Sequence, residues 1–288
     1  MRYINTAHIP TPNNWVDLAR TQSRNSGYPP STSLWSYFKA DFEAIAGKKC
    51  WYSESSNIGS KNPIDHFRPK TSELKAVPQY GQIDGITNRI NMSVGTGYPF
   101  LEFEFSNYRY ACDIVNSPNK KDASDKLPRG KWDYFPIAIN SIRATSLQTI
   151  GREQFCLIDP CVQEEAELLT FTELGQIEAH KSVLKSSWQY CKVKVSIELF
   201  HLHYPKFSER RREIWTECLE HIELLGDLYY KNPRTIQEQN NVSYHLKELV
   251  KKISKKSEFS AVAIDCIKHY RNTYTWLNNL FTEEMLKK

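Results

Sequence analysis

The sequence predicts an α+β protein that is predominantly helical, on three observations. Apolar residues recur at helical spacing near the N-terminus and again from about residue 171 onward. Residues 48–125 are richer in Gly, Pro, Asn and Ser, which favours turns, a small two-stranded element and a short helix, and 126–170 predict an ordered connector. With 40% hydrophobic residues, the 288-residue chain can bury a sizeable core. We therefore expect three parts, 1–47, 48–170 and 171–288.

The N-terminal part predicts two helices, 14–24 and 32–46. Ser31 or Thr32 is a candidate N-cap of the second helix, and Gly47 follows it as a stop. The apolar residues of the second helix at helical spacing are Leu34, Tyr37, Phe38, Phe42 and Ile45.

The C-terminal part predicts a helical module. One helix is expected over about 176–203 and should stop at Pro205. A second carries an apolar face over 214–225, and a third carries one over 246–253. A final helix is expected over about 258–283.

Positive charge is concentrated in the first half of the chain. Residues 1–150 hold 18 Lys and Arg against 13 Asp and Glu, whereas 151–288 hold 20 of each. The whole net charge of +5 therefore lies in the first half. That distribution suits a phosphate-binding surface, although ordinary surface charge also accounts for an excess of this size.

Cysteine usage and hydropathy predict the cellular compartment. The seven cysteines are odd in number and form no C-x-x-C pair, which argues against a disulfide framework. The N-terminus lacks the apolar core of a signal peptide, and no apolar run approaches the length of a membrane span. A cytoplasmic protein without membrane association is expected.

An acid followed directly by a histidine, Asp65-His66, is the strongest chemical signal. Pro63 and Pro69 bracket the pair, which favours an irregular backbone that brings both side chains to one site. A neutral histidine suits proton removal from water, and a carboxylate suits a hard divalent cation. An isolated Asp-His pair is more often a turn with a surface histidine.

Two asparagines and a lysine pair follow at longer spacing. Asn107 and Asn116 are amides, and an amide oxygen is a second ligand for a hard cation. Taken singly, these asparagines are ordinary turn residues, and Lys120-Lys121 is an ordinary solvated pair. The joint order of acid, histidine, asparagines and lysines changes that balance.

In that joint order the chain resembles the HNH endonucleases of retron and Septu-type bacterial defence systems, the PtuB-like group. The resemblance covers about residues 45–175 well and the helical C-terminus loosely. The matching segments are Cys50–Glu54, Asp65–Lys70, Leu101–Asn107, Cys112–Asn116 with Lys120-Lys121, Phe135–Pro136 and Leu157–Pro160. The segment Asp65–Lys70 matches the family pattern in full.

The resemblance implies a small ββα-metal (HNH) nuclease element embedded among helices. It implies that His66 is the general base and that Asn107 braces the loop holding it. Asp65 and Asn116 are then the ligands of Mg²⁺ or Mn²⁺, with Asn119 as the amide ligand if the helix register differs by one turn. The candidates for phosphate contact are Arg68, Lys70, Lys120 and Lys121.

The chain departs from the family pattern at a second metal site. Family members often carry four cysteines for zinc, and this chain keeps only Cys50 and Cys112 of them. Ser53 and Val115 stand at the other two positions. Serine is a poor zinc ligand and valine is none, so no structural zinc is expected.

The resemblance also implies a partner, a PtuA-type ATPase related to ABC and SMC ATPases. The chain has no Walker A motif of its own, so any ATP dependence must come from that partner. Residues 171–288 are then expected to position the nuclease and to dock the ATPase. The expected reaction is metal-dependent hydrolysis of nucleic acid, with DNA favoured over RNA. An RNA-cleaving toxin-like effector and a catalytically weak scaffold subunit remain the alternatives.

Overall fold

The computed structural model describes residues 1–25, 34–56, 62–71, 89–91, 95–118 and 129–288. The ligand and phosphate-contact candidates Asn119, Lys120 and Lys121, and the N-cap candidates Ser31 and Thr32, lie outside these described residues.

Two N-terminal helices form close to the predicted positions. Helix α1 covers Trp15–Asn25, and helix α2 covers Lys39–Ala46 after a 3-10 turn at Leu34–Phe38. Gly47 ends α2 with φ of 73°, and a Cβ there would lie 2.7 Å from the carbonyl oxygen of Lys256. Only glycine accepts both that backbone conformation and that close approach.

The middle of the chain holds an antiparallel pair of strands followed by a short helix. Strand β1 (Ile64–His66) pairs antiparallel with β3 (Tyr108–Tyr110), with Asp65 opposite Arg109. Helix α3 (Asp113–Asn116) begins three residues after β3 ends. A second antiparallel pair joins β2 (Ile90–Asn91) to β4 (Ile137–Ala138). The expected two-stranded element and short helix are thus present.

Aromatic side chains pack the β1–β3 strand pair against the N-terminal helices. Phe38 and Phe42 are fully buried, and Phe42 packs on Trp51 with ring centroids 4.6 Å apart. Tyr108 and Tyr110 of β3 join the same apolar cluster. Two isolated three-residue strands are not stable in water, so the β1–β3 pair depends on the burial of these large rings.

The C-terminal part is helical apart from one hairpin. After α4 (Gln163–Ala166), which precedes this part, the helices are α5 (Trp188–Leu199), α6 (Pro205–Tyr229), α7 (Ile236–Lys252), α8 (Ser260–Tyr270) and α9 (Leu277–Leu280). Helix α6 packs against both α7 and α8. None of the helices in the described part of the chain combines the length and apolar content needed to cross a membrane.

Two C-terminal predictions were wrong in extent. The helix expected over 176–203 begins only at Trp188, because Ile177–Ala179 is strand β6, paired with β5 (Leu169–Phe171). Gly175, with φ of 72°, makes the turn between them and sets a hairpin where helical spacing was inferred. The helix expected over 258–283 ends at Tyr270, where a run of Asn and Thr residues with low helix propensity follows.

The apolar core continues from the middle part into the C-terminal helices. The Tyr52 ring packs on Phe200 with centroids 4.4 Å apart. Glu54 also bridges the two parts, since its carboxylate accepts from Ser260 at the start of α8 at 2.9 Å. The C-terminal helices therefore support the region that carries Asp65 and His66. The division at residues 47 and 170 remains a prediction.

Candidate active site

Asp65 and His66 are neighbours on β1, and the pleat sends their side chains to different surroundings. Asp65 is 5% exposed and contacts Tyr52 and Lys131, whereas His66 is half-buried against Tyr108. The short strand therefore offers a buried carboxylate and a more accessible imidazole next to each other.

The carboxylate of Asp65 is held through both oxygens. The Tyr52 hydroxyl donates to Oδ2 at 2.6 Å, and the Lys131 ammonium donates to Oδ1 at 2.8 Å. Lys131 is fully buried. Burial and the adjacent Asp65 charge raise the pKa of Tyr52 well above its ordinary value, so the phenol stays a donor. Asp65 thus carries its negative charge inside the protein with a lysine as counter-ion.

Lys131 ties the strand to the short helix. Its ammonium also donates to the carbonyl oxygens of His66 at 2.7 Å and Trp132 at 3.3 Å. Its backbone N–H donates to Val115 in α3 at 2.6 Å, and the next N–H donates to the carbonyl of Asn116 at 2.8 Å. One residue therefore links β1 to the end of α3, where Asn116 lies.

His66 is fixed in one tautomer. Its Nε2 lies 2.9 Å from the carbonyl oxygen of Glu102, and a carbonyl only accepts, so Nε2 carries the proton and Nδ1 is the acceptor nitrogen. Burial lowers the pKa of His66 to about 4, and the charges of Lys70 and Lys131 act in the same direction. The imidazole is therefore neutral near pH 7, which is the state that a general base requires.

Asn107 clamps the backbone just after His66. Its Oδ1 accepts from the Arg68 N–H at 2.8 Å, and its Nδ2 donates to the Arg68 carbonyl at 2.9 Å. The carbonyl of Asn107 also accepts from Phe67 at 2.8 Å. This arrangement matches the bracing role expected for the middle asparagine, which stays a prediction in its functional part.

Asn116 ends α3 with an amide oxygen in need of a partner. Its Oδ1 is buried and makes no hydrogen bond within the described residues. Leaving such an atom unsatisfied costs about 1–3 kcal/mol. The oxygen is therefore suited to a ligand that accepts a lone pair, such as a cation.

The two described phosphate-contact candidates are engaged with acids. Arg68 donates through Nε to Glu153 at 3.0 Å and lies over the Phe155 ring, with the guanidinium carbon 4.8 Å from the centroid. Lys70 donates to Glu102 at 3.2 Å and keeps 22% of its side chain exposed. Lys70 is thus the more accessible cation near His66, and Arg68 mainly stabilises the loop.

Three residues of this site were missed in the sequence: Tyr52, Lys131 and Asp133. Asp133 is half-buried; burial raises the pKa of its carboxyl and the Asp65 charge adds to that, while Lys131 opposes it. Tyr52 lies inside a family motif, which was the available signal. No local pattern marks Lys131 or Asp133, because their role depends on contacts across more than 60 residues.

Ser53 and Cys112 occupy two of the four positions at which family members often carry zinc-binding cysteines, and they lie close together. The hydroxyls of Ser53 and Ser55 lie 3.8 Å from the Cys112 sulfur. Burial raises the pKa of Cys50 well above its ordinary value. Although burial opposes ionisation of Cys112 too, hydrogen bonds led by that from Cys50 lower its pKa to about 6. Within the described ranges, no group of three or more His, Cys, Asp and Glu side chains is arranged to hold a metal.

Comparison with known proteins gives one informative relative. No family model matches the chain. The chain is 30% identical over 182 residues, 62% of its length, to the Septu protein PtuB of Bacillus mycoides (strain KBAB4). It spans about half, 52%, of the length of that curated relative. The chain is therefore similar to a Septu protein over a large part of its own sequence, which supports its resemblance to Septu-type defence proteins.

Proposed function

We propose that this chain is a metal-dependent HNH nuclease that hydrolyses phosphodiester bonds and acts as the effector of a Septu-like anti-phage defence system. The observation that carries the proposal is the state of His66. Its Nε2–H is held by the Glu102 carbonyl, its pKa lies near 4, and Asn107 clamps the adjacent backbone. A neutral, oriented imidazole beside a carboxylate is suited to take a proton from water.

The chain's own residues prepare this base. Because Nε2 is committed to Glu102, the ring accepts a proton at Nδ1. The positive charge that follows is stabilised by Asp65, one residue away. Asn107 keeps the ring from drifting by fixing the Arg68 backbone through two hydrogen bonds. The base therefore needs little reorganisation at the moment of reaction.

Asp65 and Asn116 are the residues that would hold a divalent cation. They supply a carboxylate and an amide oxygen, which are ligands that Mg²⁺ and Mn²⁺ accept, and the unsatisfied Oδ1 of Asn116 supports the fit. When bound, such an ion stabilises negative charge on the phosphate and on the leaving oxygen. Lys70 is the described cation best placed to contact the phosphate of the substrate, since it lies close enough to depress the pKa of His66.

The partner and the substrate are proposed from the name of the relative and from the charge distribution. The name of the relative, Septu protein PtuB, is the basis for proposing a PtuA-like ATPase as partner. The charge excess in residues 1–150 supports nucleic acid as substrate, and the cleavage assay decides between DNA, the substrate proposed here, and RNA. A catalytically weak scaffold is the second candidate, and the observation that favours it is that Lys131 and Tyr52 already engage both oxygens of Asp65.

The proposal is tested by cleavage assays on the purified chain, with and without the ATPase. Plasmid DNA and single-stranded RNA are incubated with Mg²⁺ or with EDTA, and His66→Ala is compared with the wild type. His180→Ala is the matched control, because His180 is also half-buried and burial also lowers its pKa.

The expected result is cleavage that needs Mg²⁺, falls by about 100-fold or more in His66→Ala, and persists in His180→Ala. Cleavage by His66→Ala at the wild-type rate would overturn the assignment of the base. Absence of cleavage of both substrates by the wild type with its partner would favour the scaffold.

A further inference from the structure

We propose that Lys131 is a positioning residue that holds the carboxylate of Asp65 in place of a divalent cation, and that the cation binds Asp65 by displacing the Lys131 ammonium. This inference rests on the proposed function, because it concerns the cation that the proposed reaction uses. Lys131 lies outside the motif segments. The inference predicts that competition from the Lys131 ammonium weakens the binding of the cation to Asp65.

The first support is that Asp65 needs a counter-charge wherever the cation is absent. A carboxylate that is 5% exposed is costly to ionise alone. Lys131 supplies that charge from a fully buried position, 2.8 Å from Oδ1. Two opposite charges that share one buried site cannot be removed separately without a large loss of stability.

The second support is the chemistry of the surroundings. The ammonium also contacts the carbonyl oxygens of His66 and Trp132, and Asp133 lies close enough for Lys131 and Asp65 to shift the pKa of its carboxyl. Asn116, with its unsatisfied Oδ1, is linked to the same segment through the Trp132 N–H. Oxygen atoms of this kind are what a hard cation prefers, and the Lys131 ammonium contacts those of Asp65, His66 and Trp132.

The third support is a comparison with another buried pair, Lys49 and Glu54, which has oxygens around its ammonium but lies against α8 and not beside His66 and Asn116. Lys49 donates to Glu54 at 3.1 Å and is as deeply buried as Lys131. The same carboxylate oxygen of Glu54 is also bonded to the hydroxyl of Ser260 and the N–H of Ala261, both in α8. That pair joins two parts of the fold, and it serves as an internal control for the loss of a buried lysine.

The experiment compares Lys131→Met and Lys49→Met with the wild type. Each substitution keeps the length of the side chain and removes its charge. Mn²⁺ is the probe, with its binding followed by electron paramagnetic resonance and the Tm followed by calorimetry in EDTA and in saturating MnCl₂. Asp65→Asn in the Lys131→Met background shows whether the bound ion is at Asp65.

In EDTA Lys131→Met should lose on the order of 10 °C in Tm, because the buried Asp65 loses its lysine counter-charge, and Lys49→Met should lose less, because the N-terminal ammonium of Met1 still pairs with Glu54 at 3.1 Å. Mn²⁺ should restore at least half of the loss in Lys131→Met and none in Lys49→Met. Lys131→Met should bind Mn²⁺ about tenfold more tightly than the wild type or better, and Asp65→Asn should abolish that gain. If Lys131→Met is unfolded in EDTA, Mn²⁺ should restore its circular dichroism.

Two results would overturn the inference: Mn²⁺ binding by Lys131→Met that is no tighter than that of the wild type, or failure of Mn²⁺ to restore its folding. Equal rescue of Lys49→Met would overturn it as well. The assay contains no nucleic acid, so it separates this inference from the proposed function. If Lys131→Met binds Mn²⁺ more tightly but the wild type cleaves neither DNA nor RNA, the proposed nuclease activity is wrong and the proposed role of Lys131 is retained.

Discussion

The regions around Glu54 and around Asp65 each hold a buried carboxylate against a buried lysine, and they differ in what surrounds the pair. Around Glu54, the partners are Lys49, the N-terminal ammonium of Met1 and the first groups of α8, so the charge joins distant parts of the chain. Around Asp65, the partners are Lys131 and Tyr52, and the next residue is the neutral imidazole of His66.

The difference separates a structural charge from a chemical one. The cations around Glu54, led by Lys49, hold the pKa of its carboxyl well below its usual range in spite of burial. Asp65 has a comparable ion pair, but beside it lie an oriented base, a clamped loop and an amide oxygen without a hydrogen bond. Burial of a charge is therefore not enough to identify a reactive site; its neighbours decide.

The largest expected effect is at the structural charge. Glu54→Gln leaves Lys49 buried without a counter-charge and should lower the free energy of unfolding by about 3–5 kcal/mol, measured by urea denaturation. Glu209→Gln, at an exposed position in α6, should change it by no more than about 0.5 kcal/mol. Unchanged stability in Glu54→Gln would remove the distinction between the two regions.

The next largest effect is expected when a four-cysteine zinc site is built around Cys50 and Cys112. Ser53→Cys together with Val115→Cys supplies the two thiolates that the family pattern has and this chain lacks. The double variant should bind one zinc ion and gain about 2.7 kcal/mol of stability when free zinc is at 100 times the Kd. Ser53→Cys alone should gain less. A double variant that takes up no zinc would show that these positions do not converge as described.

The smallest effect is a dependence of stability on pH that comes from His66. Its pKa is about 4 in the folded chain against an ordinary value of 6.5, so below pH 6.5 the unfolded chain binds a proton that the folded chain does not. Stability should therefore fall as the pH drops from about 6.5 towards 4, with a loss of about 2 kcal/mol at about pH 5 from this group.

Urea denaturation of His66→Gln at about pH 7 and at about pH 5 tests this prediction. That variant should lack this part of the loss between neutral and acidic pH, whereas His8→Gln, at an exposed histidine, should retain it. Equal losses in the wild type and His66→Gln would mean that the imidazole is not desolvated as the structure has it.

The local part of the site was accessible from the sequence, and the long-range part was not. Asp65, His66 and Asn107 lie in short motifs, and the structure brings Asn107 onto the backbone that follows His66. Their functional roles stay predictions. Lys131 escaped detection because its link to Asp65 spans 66 residues and carries no periodic or motif signal.

The fold shows the same division. The helix at 14–24 was predicted nearly to its ends, because the spacing of its apolar residues is a local property of the sequence. Strand β6 falls within a predicted helix, because apolar residues in short strands also fit helical spacing and only pairing with β5 across Gly175 decides.

The central claim, that Asp65 and His66 form the chemical region and Glu54 the structural one, is tested most directly by one paired measurement. The folded fraction and the rate of Mg²⁺-dependent cleavage are measured on the same samples of wild type, His66→Ala and Glu54→Gln. We predict that His66→Ala is fully folded with a rate reduced about 100-fold or more, and that Glu54→Gln loses activity only in proportion to its unfolded fraction. Cleavage by folded His66→Ala at the wild-type rate would contradict the account.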